Sequence, residues 1–135
     1  FPNSRIVETH KVTDGADGSN SEKLLTGSFE LNGQEFIALN GGPMFSFTEA
    51  ISLFVHCEDQ AEVDHYWAKL TADGGEDSQC GWLKDKFGVS WQIVPNCLGE
   101  LLGDPDRERA DRAMQAMLQM KKLDIKKLED AAAGR

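Results

Sequence analysis

Residues 85–96 read DKFGVSWQIVPN. The run has the alternation of a strand, with Val89, Trp91 and Ile93 on one face and Ser90 and Gln92 on the other. An amide between a tryptophan and an isoleucine in a buried strand needs hydrogen-bond partners, because burying it bare costs several kcal/mol. The strand before it is SQCGWL, residues 78–83. A four-residue turn from Asp85 to Gly88 would join the two and set Gln92 opposite Gly81 and Trp91 opposite Trp82. Cys80 then shares the face of Trp82 and Trp91 and is expected as a buried, inert thiol.

Working outward, AISLFVHC (50–57) reads as a strand, and a helix is expected from Gln60 to Ala72. Asp59 is its cap, Glu62 completes a capping box, and Val63, Tyr66, Trp67 and Leu70 recur at helical spacing. DGGED at 73–77 ends it. Toward the N-terminus come three strands, SRIVETHKV (4–12), LLTGSFEL (24–31) and QEFIAL (34–39). Asn32-Gly33 joins the last two as a tight hairpin, since both central residues of a type I′ turn need positive φ. That turn sets Leu31 opposite Gln34, Phe29 opposite Phe36 and Gly27 opposite Ala38. NGGP at 40–43 is a linker turn and, because it opens no helix, not a phosphate cradle. The C-terminal stretch is helical. Asp104 and Pro105 form a cap and first turn, Ala110, Met114, Met117 and Leu118 form an apolar stripe, and a shorter helix begins near Asp124.

A repeat organises these elements. Residues 47–97 read strand, helix, strand, strand, strand, provided a short strand lies between Gly75 and Gln79. Residues 4–40 read as three strands only, like the second half without its opening strand and helix. The opening FPNSRIV has no initiator Met and resembles a fragment edge, and roughly 20 residues are expected to precede it in a complete unit. The organisation is an incomplete module (1–46), a complete one (47–97) and a helical extension (98–135) in one globular unit.

The 135 residues, 40% of them hydrophobic, suffice for one ordinary core. No apolar run approaches the roughly 18 residues that span a bilayer. The three cysteines, Cys57, Cys80 and Cys97, are widely spaced and form no CxxC pattern, as expected of reduced thiols in a cytoplasm. Net charge is −9, and residues 1–97 carry all of it, with 15 acids against 6 bases. Such a surface repels nucleic acid and anionic membranes and suits a neutral or cationic small molecule.

FTEAISLFVHCEDQAEVDHYWAKL (47–70) and SQCGWLKDKFGVSWQIVPN (78–96) resemble the PhnB-like family, which carries the label 3-demethylubiquinone-9 3-methyltransferase. It is grouped with glyoxalase I, bleomycin resistance proteins and extradiol dioxygenases in the vicinal oxygen chelate superfamily. The resemblance runs from Phe1 to about Ala131. It implies an α+β glyoxalase/bleomycin resistance fold of paired βαβββ modules curled around a cleft, with C-terminal helices, and a homodimer. Members with metal chemistry place His or Glu on cleft-facing strands. The equivalent positions here are Ala38, Ala50 and Gln92, with the fourth on the opening strand that the sequence lacks. Two alanines and an amide do not hold a divalent ion, which needs imidazole, carboxylate or thiolate donors. No metal and no cofactor are therefore expected.

The expected pocket comprises Phe29, Phe36, Ala38, Ala50, Ser52, Phe54 and Gln92, apolar walls with few polar groups. Ser52 and Ser90 share the parity of Gln92 but have no His or Asp partner for nucleophilic catalysis. Glu49, just before the second module's first strand, is the one candidate general base, on the condition of a raised pKa; the plainer alternative is an exposed strand-end charge. His56 lies too far along its strand to replace a ligand at Ala50, while His10 and His65 suit solvated positions. Trp67, Trp82 and Trp91 read as core, and Met114, Met117 and Met120 as helix-to-sheet packing, with a partner interface or the cap of a flexible pocket as the alternatives. The expectation is a protein that binds a small molecule in a cleft without metal ligands. The alternative is a metal-dependent lyase, isomerase or dioxygenase with ligands from the absent strand or a partner chain. Methyltransferase chemistry is not expected, because no strand, Gly-rich loop and helix unit is present to hold a nucleotide-like cofactor.

Overall fold

The computed structural model describes residues 1–14 and 21–135, Asp14 and Ser21 by backbone alone. It separates into two compact units, residues 1–45 and 46–135.

The first unit is a three-stranded antiparallel sheet of β1 (Arg5–Asp14), β2 (Ser21–Leu31) and β3 (Gln34–Leu39), in that order. Asn32 (φ 50°) and Gly33 (φ 80°) form the expected turn. It fixes the expected register, Leu31 with Gln34, Phe29 with Phe36 and Gly27 with Ala38. Two irregularities, between Ile6 and Glu8 and between His10 and Lys11, interrupt the β1–β2 ladder. None of this unit's described residues is buried.

The second unit holds β4 (Leu53–Cys57), α1 (Gln60–Thr71), β5 (Glu76–Asp77), β6 (Trp82–Lys84) and β7 (Ser90–Pro95), followed by α2 (Cys97–Leu102), α3 (Arg107–Leu118) and α4 (Ile125–Ala132). Its sheet order is β4-β7-β6-β5, with β4 parallel to β7 and the other pairs antiparallel. The strand–helix–strand–strand–strand order is that expected from the repeat. A parallel pair needs a crossover, and α1 supplies it while covering one sheet face. Val63, Tyr66 and Trp67 of α1 are buried there, as are Val55 and Cys57 of β4, Leu83 of β6, and Trp91 and Ile93 of β7. Each such aliphatic side chain contributes about 1.5–3 kcal/mol of burial. Asp59 caps α1 by accepting from the Glu62 N–H at 2.9 Å, and the Glu62 carboxylate accepts from the Glu58 N–H at 2.8 Å. The capping box thus closes one residue earlier than its usual form.

A second cluster, Val94, Leu98, Leu123 and Leu128, joins β7 to the C-terminal helices. The chain after α3 is tied to the sheet by backbone bonds from Cys80 N–H to Met120 and from Gly81 N–H to Lys121, both 2.8 Å. Gly81 has φ 85°, and a Cβ there would stand 3.0 Å from both the Ile93 carbonyl and Leu123 Cδ1. Backbone conformation and close approach both require glycine at this crossing.

Four local expectations are corrected. The β6–β7 loop has three residues, with Gly88 at φ 86° and the Asp85 N–H bonded to the Val89 carbonyl at 2.9 Å; this is the turn whose last residue is left-handed. The register therefore moves by one, to Trp82 with Gln92 and Leu83 with Trp91. Cys80 and Trp82 consequently lie on the Gln92 face rather than against α1, and Cys80 is only half-buried. The strand expected at 50–57 begins at Leu53, which leaves Ala50 in the preceding turn. Asp106, not Asp104, caps α3; Asp104 accepts from the Asp106 N–H and from Arg109 Nε, which holds the entry to the helix. The buried stripe of α3 is Ala110 and Ala113, with Met117 half-buried, whereas Met114 and Leu118 are exposed. The short α2 has a poor helix sequence around Gly99 and forms because Leu98, Leu101 and Leu102 pack into the second cluster.

Candidate functional site

The face of the second sheet opposite α1 carries Phe54 and His56 from β4, Trp82 from β6, and Gln92 and Val94 from β7. Register places them. Phe54 and Trp82 are the two cross-strand neighbours of Gln92, and His56 neighbours Val94. Gln92 on the central strand is thus flanked by two aromatic side chains. The Phe54 and His56 rings lie 4.7 Å apart at 52°. Leu98 and Gly99 of α2, Leu102 at its end and Met117 of α3 wall the other side, giving a groove of about 560 Å³ open to solvent. No Lys, Arg, Asp or Glu lines it.

The polar centre is Gln92, whose Nε2 donates to Ser52 Oγ at 2.9 Å. Ser52 directly precedes β4, and its hydroxyl orients the amide so that Gln92 Oε1 remains available to accept from a bound molecule. Ser90, two residues before Gln92 on the same face, is 2% exposed, and its hydroxyl is the buried side-chain oxygen without a hydrogen-bond partner among the described residues. Its neighbour across the ladder is Lys84, which pairs with Glu49 in the segment leading to β4.

That pair decides the chemistry of Glu49. The Lys84 hydrogen bond, aided by a backbone hydrogen bond and the ammonium charge, holds the Glu49 carboxyl below the usual carboxylate range, and Glu49 in turn raises the Lys84 ammonium. The condition set for a general base, a raised pKa, is not met. Burial, reinforced by Glu62 and Asp59, pushes the Cys57 thiol up to about 11, so its nucleophilic form is suppressed.

Of the residues expected in the pocket, Ser52, Phe54 and Gln92 come together here. Ala50 is an exposed turn residue whose N–H bonds Thr48 Oγ1. Phe29, Phe36 and Ala38 belong to the first unit. There the Phe29 and Phe36 rings stack at 5.6 Å, and Ala38 faces Gly27. Ala38, Ala50 and Gln92 offer two methyl groups and an amide, a donor set that does not fit a divalent cation. Among the described residues no group of three His, Cys, Asp or Glu side chains converges. No helix among them is long and apolar enough to cross a membrane.

The four-residue turn concealed Trp82 and Cys80 as groove residues. The signal that finds them is Gly88, whose place just before Val89 marks a three-residue loop. His56 is legible from its parity with Phe54 along β4. Leu102 and Gly99 carry no local signal, because α2 is short, contains a glycine and forms through packing of its leucines.

The sheet with its parallel outer pair, the crossover helix and the groove on the opposite face define a mixed α+β protein of the glyoxalase-like kind. Residues 1–94 match the 3-demethylubiquinone-9 3-methyltransferase family. A PhnB protein from Bacillus cereus has a similar structure, with a TM-score of 0.61 and 34% identity over 70% of this chain and 81% of that one. The chain belongs to this PhnB-like family. No curated protein matches it.

Proposed function

We propose that this chain binds a small molecule in the groove of its second unit, as a vicinal oxygen chelate protein in which an amide occupies a former metal-ligand position. The observation that carries the proposal is the pair of Gln92 and Ser52, which fixes a hydrogen-bonding amide in a mostly apolar, aromatic-rich groove that His56 and Asn96 also line. Apolar walls with one or two oriented polar groups are the usual composition of a ligand site. The methyltransferase of the family's name is not part of the proposal. The β4–α1 connection is Glu58-Asp59, two acids and no glycine, where a cofactor-binding unit would need a Gly-rich turn.

The proposal includes a homodimer, supported by exposed apolar side chains on the first unit such as Ile6 (76% exposed) and Ile37 (69%). Two measurements test it. Neutral aromatic metabolites and cationic antibiotics, screened by thermal shift against the full chain, are expected to include stabilising ligands whose effect is lost in Gln92→Leu. Stabilisation that survives Gln92→Leu overturns the site. Light scattering is expected to give twice the chain mass, and a monomer overturns the dimer.

A further inference from the structure

We infer that the C-terminal helices set the specificity of this groove, and that its ligand is a neutral, largely aromatic molecule with one N–H or O–H donor; this rests on the groove being the binding site. The family match ends at residue 94. Leu98, Gly99, Leu102 and Met117 all lie beyond that point and form one wall of the groove. The floor, with Phe54, Trp82 and Gln92, comes from the matched part, so floor and wall are separable by sequence.

Three features fix the ligand class. No Lys, Arg, Asp or Glu lines the groove, so no opposite charge from those residues offsets the lost hydration of an ion. The Gln92 amide spends one of its two N–H groups on Ser52, which leaves its carbonyl oxygen to accept from an N–H or O–H of the ligand. The cross-strand neighbours of Gln92 are Phe54 and Trp82, aromatic side chains that line the same groove and suit a flat ring.

Gly99 makes the wall testable. A Cβ built there meets no atom within 4 Å, so a side chain enters open space beside the groove without a clash. Gly99 has no left-handed φ, and a larger residue is favoured in a helix. Met117 acts in the opposite sense, since its flexible side chain leans on the second cluster and its truncation widens the wall.

The experiment is fluorescence titration of the full chain with N-phenylnaphthylamine, a neutral aromatic amine, and with anilinonaphthalene sulfonate, the same ring system bearing an anion. The wild-type chain is expected to bind the neutral probe about tenfold more tightly than the anion, and Gly99→Phe to weaken that binding about tenfold or more with its melting temperature kept. If Gly99→Phe and Met117→Ala both bind like wild type while Gln92→Leu is weakened, the groove stands and the role of the wall is overturned. If Gly99→Phe fails to fold, Met117→Ala decides alone, by a changed or unchanged ratio between the two probes. Preference for the sulfonate overturns the ligand class. No binding of either probe overturns it too, while stabilisation by another compound that depends on Gln92 would leave the groove intact.

Discussion

Gln92 Nε2 and Ser52 Oγ lie 2.9 Å apart between β7 and the residue that precedes β4. The bond joins a central strand to the entrance of its parallel neighbour, and it answers why a buried-looking strand holds an amide. Gln92 is half-buried and supported from one side, with its carbonyl oxygen left for a partner. Gln92→Leu keeps the volume and removes both groups. Affinity for N-phenylnaphthylamine is expected to fall by about 1–3 kcal/mol, the cost of one lost hydrogen bond in a partly desolvated site. Ser52→Ala should cost less, since the carbonyl survives and only its orientation loosens. Titrations of both variants check the order, and unchanged binding in Gln92→Leu would return the amide to a structural role.

Gly75 offers a prediction about the fold alone. It sits between α1 and β5, where a Cβ would stand 2.6 Å from Thr71 Cα and 2.8 Å from the carbonyls of Leu70 and Lys84. All three atoms are backbone, so the chain itself must move. Gly75→Ala is expected to destabilise by about 1–3 kcal/mol through overpacking. Gly99→Ala, in open space on α2, should be neutral or stabilising by up to about 1 kcal/mol. Chemical denaturation of the two variants tests the contrast, which the identical chemistry of the substitutions makes sharp.

Local signals carried most of the architecture. Asn32-Gly33 determined a register to the residue, and Asp59 with Glu62 located the start of α1, because each rests on a backbone requirement that few sequences satisfy. Where the deciding interaction is tertiary, the sequence was silent. Gly99 argues against helix, yet α2 forms because three leucines find the cluster around Leu123 and Leu128. The β6–β7 loop shows how a small error spreads. One residue in a turn moved Trp82 and Cys80 to the other face, since side-chain direction alternates along a strand. Gln92 and Ser52 were legible from parity alone; the wall was not, because it comes from helices that follow the repeated pattern.

The proposal that Ala38, Ala50 and Gln92 occupy former metal-ligand positions predicts the response to metals. With Ala38, Ala50 and Gln92 at those places, addition of Ni, Mn, Fe or Zn ions is expected to leave the melting temperature unchanged, and chelator treatment should be equally silent. The test is thermal shift of the full chain with each ion, together with metal content by mass spectrometry. Stoichiometric metal, or stabilisation that saturates at one ion per chain, would restore a metal-dependent lyase, isomerase or dioxygenase.

Acid sensitivity is expected where α1 meets the chain leading into α4. Gln60 accepts from the Ile125 N–H at 2.9 Å and donates to the Leu123 carbonyl and to Asp64, both at 3.1 Å, while Asp64 is also paired with Lys122. The Lys122 hydrogen bond, then that from Gln60, depresses the Asp64 carboxyl below its ordinary value. A carboxyl depressed on folding stabilises the fold above its unfolded pKa, and that contribution is lost as pH falls through the folded one. Asp64 and Lys122 are half exposed, so solvent screening limits the pair to at most about 1 kcal/mol. The melting temperature is expected to drop as pH falls from about 5 through and below the ordinary aspartate value of about 3.9, and to drop less in Asp64→Asn, which lacks the titrating group. Both curves should converge at the acid end, where the wild-type carboxyl is itself neutral. Parallel curves would mean that the other depressed carboxyls, Glu30, Glu49, Asp104 and Asp130, carry the acid response instead, and that the α1 junction is held by Gln60 without help from charge.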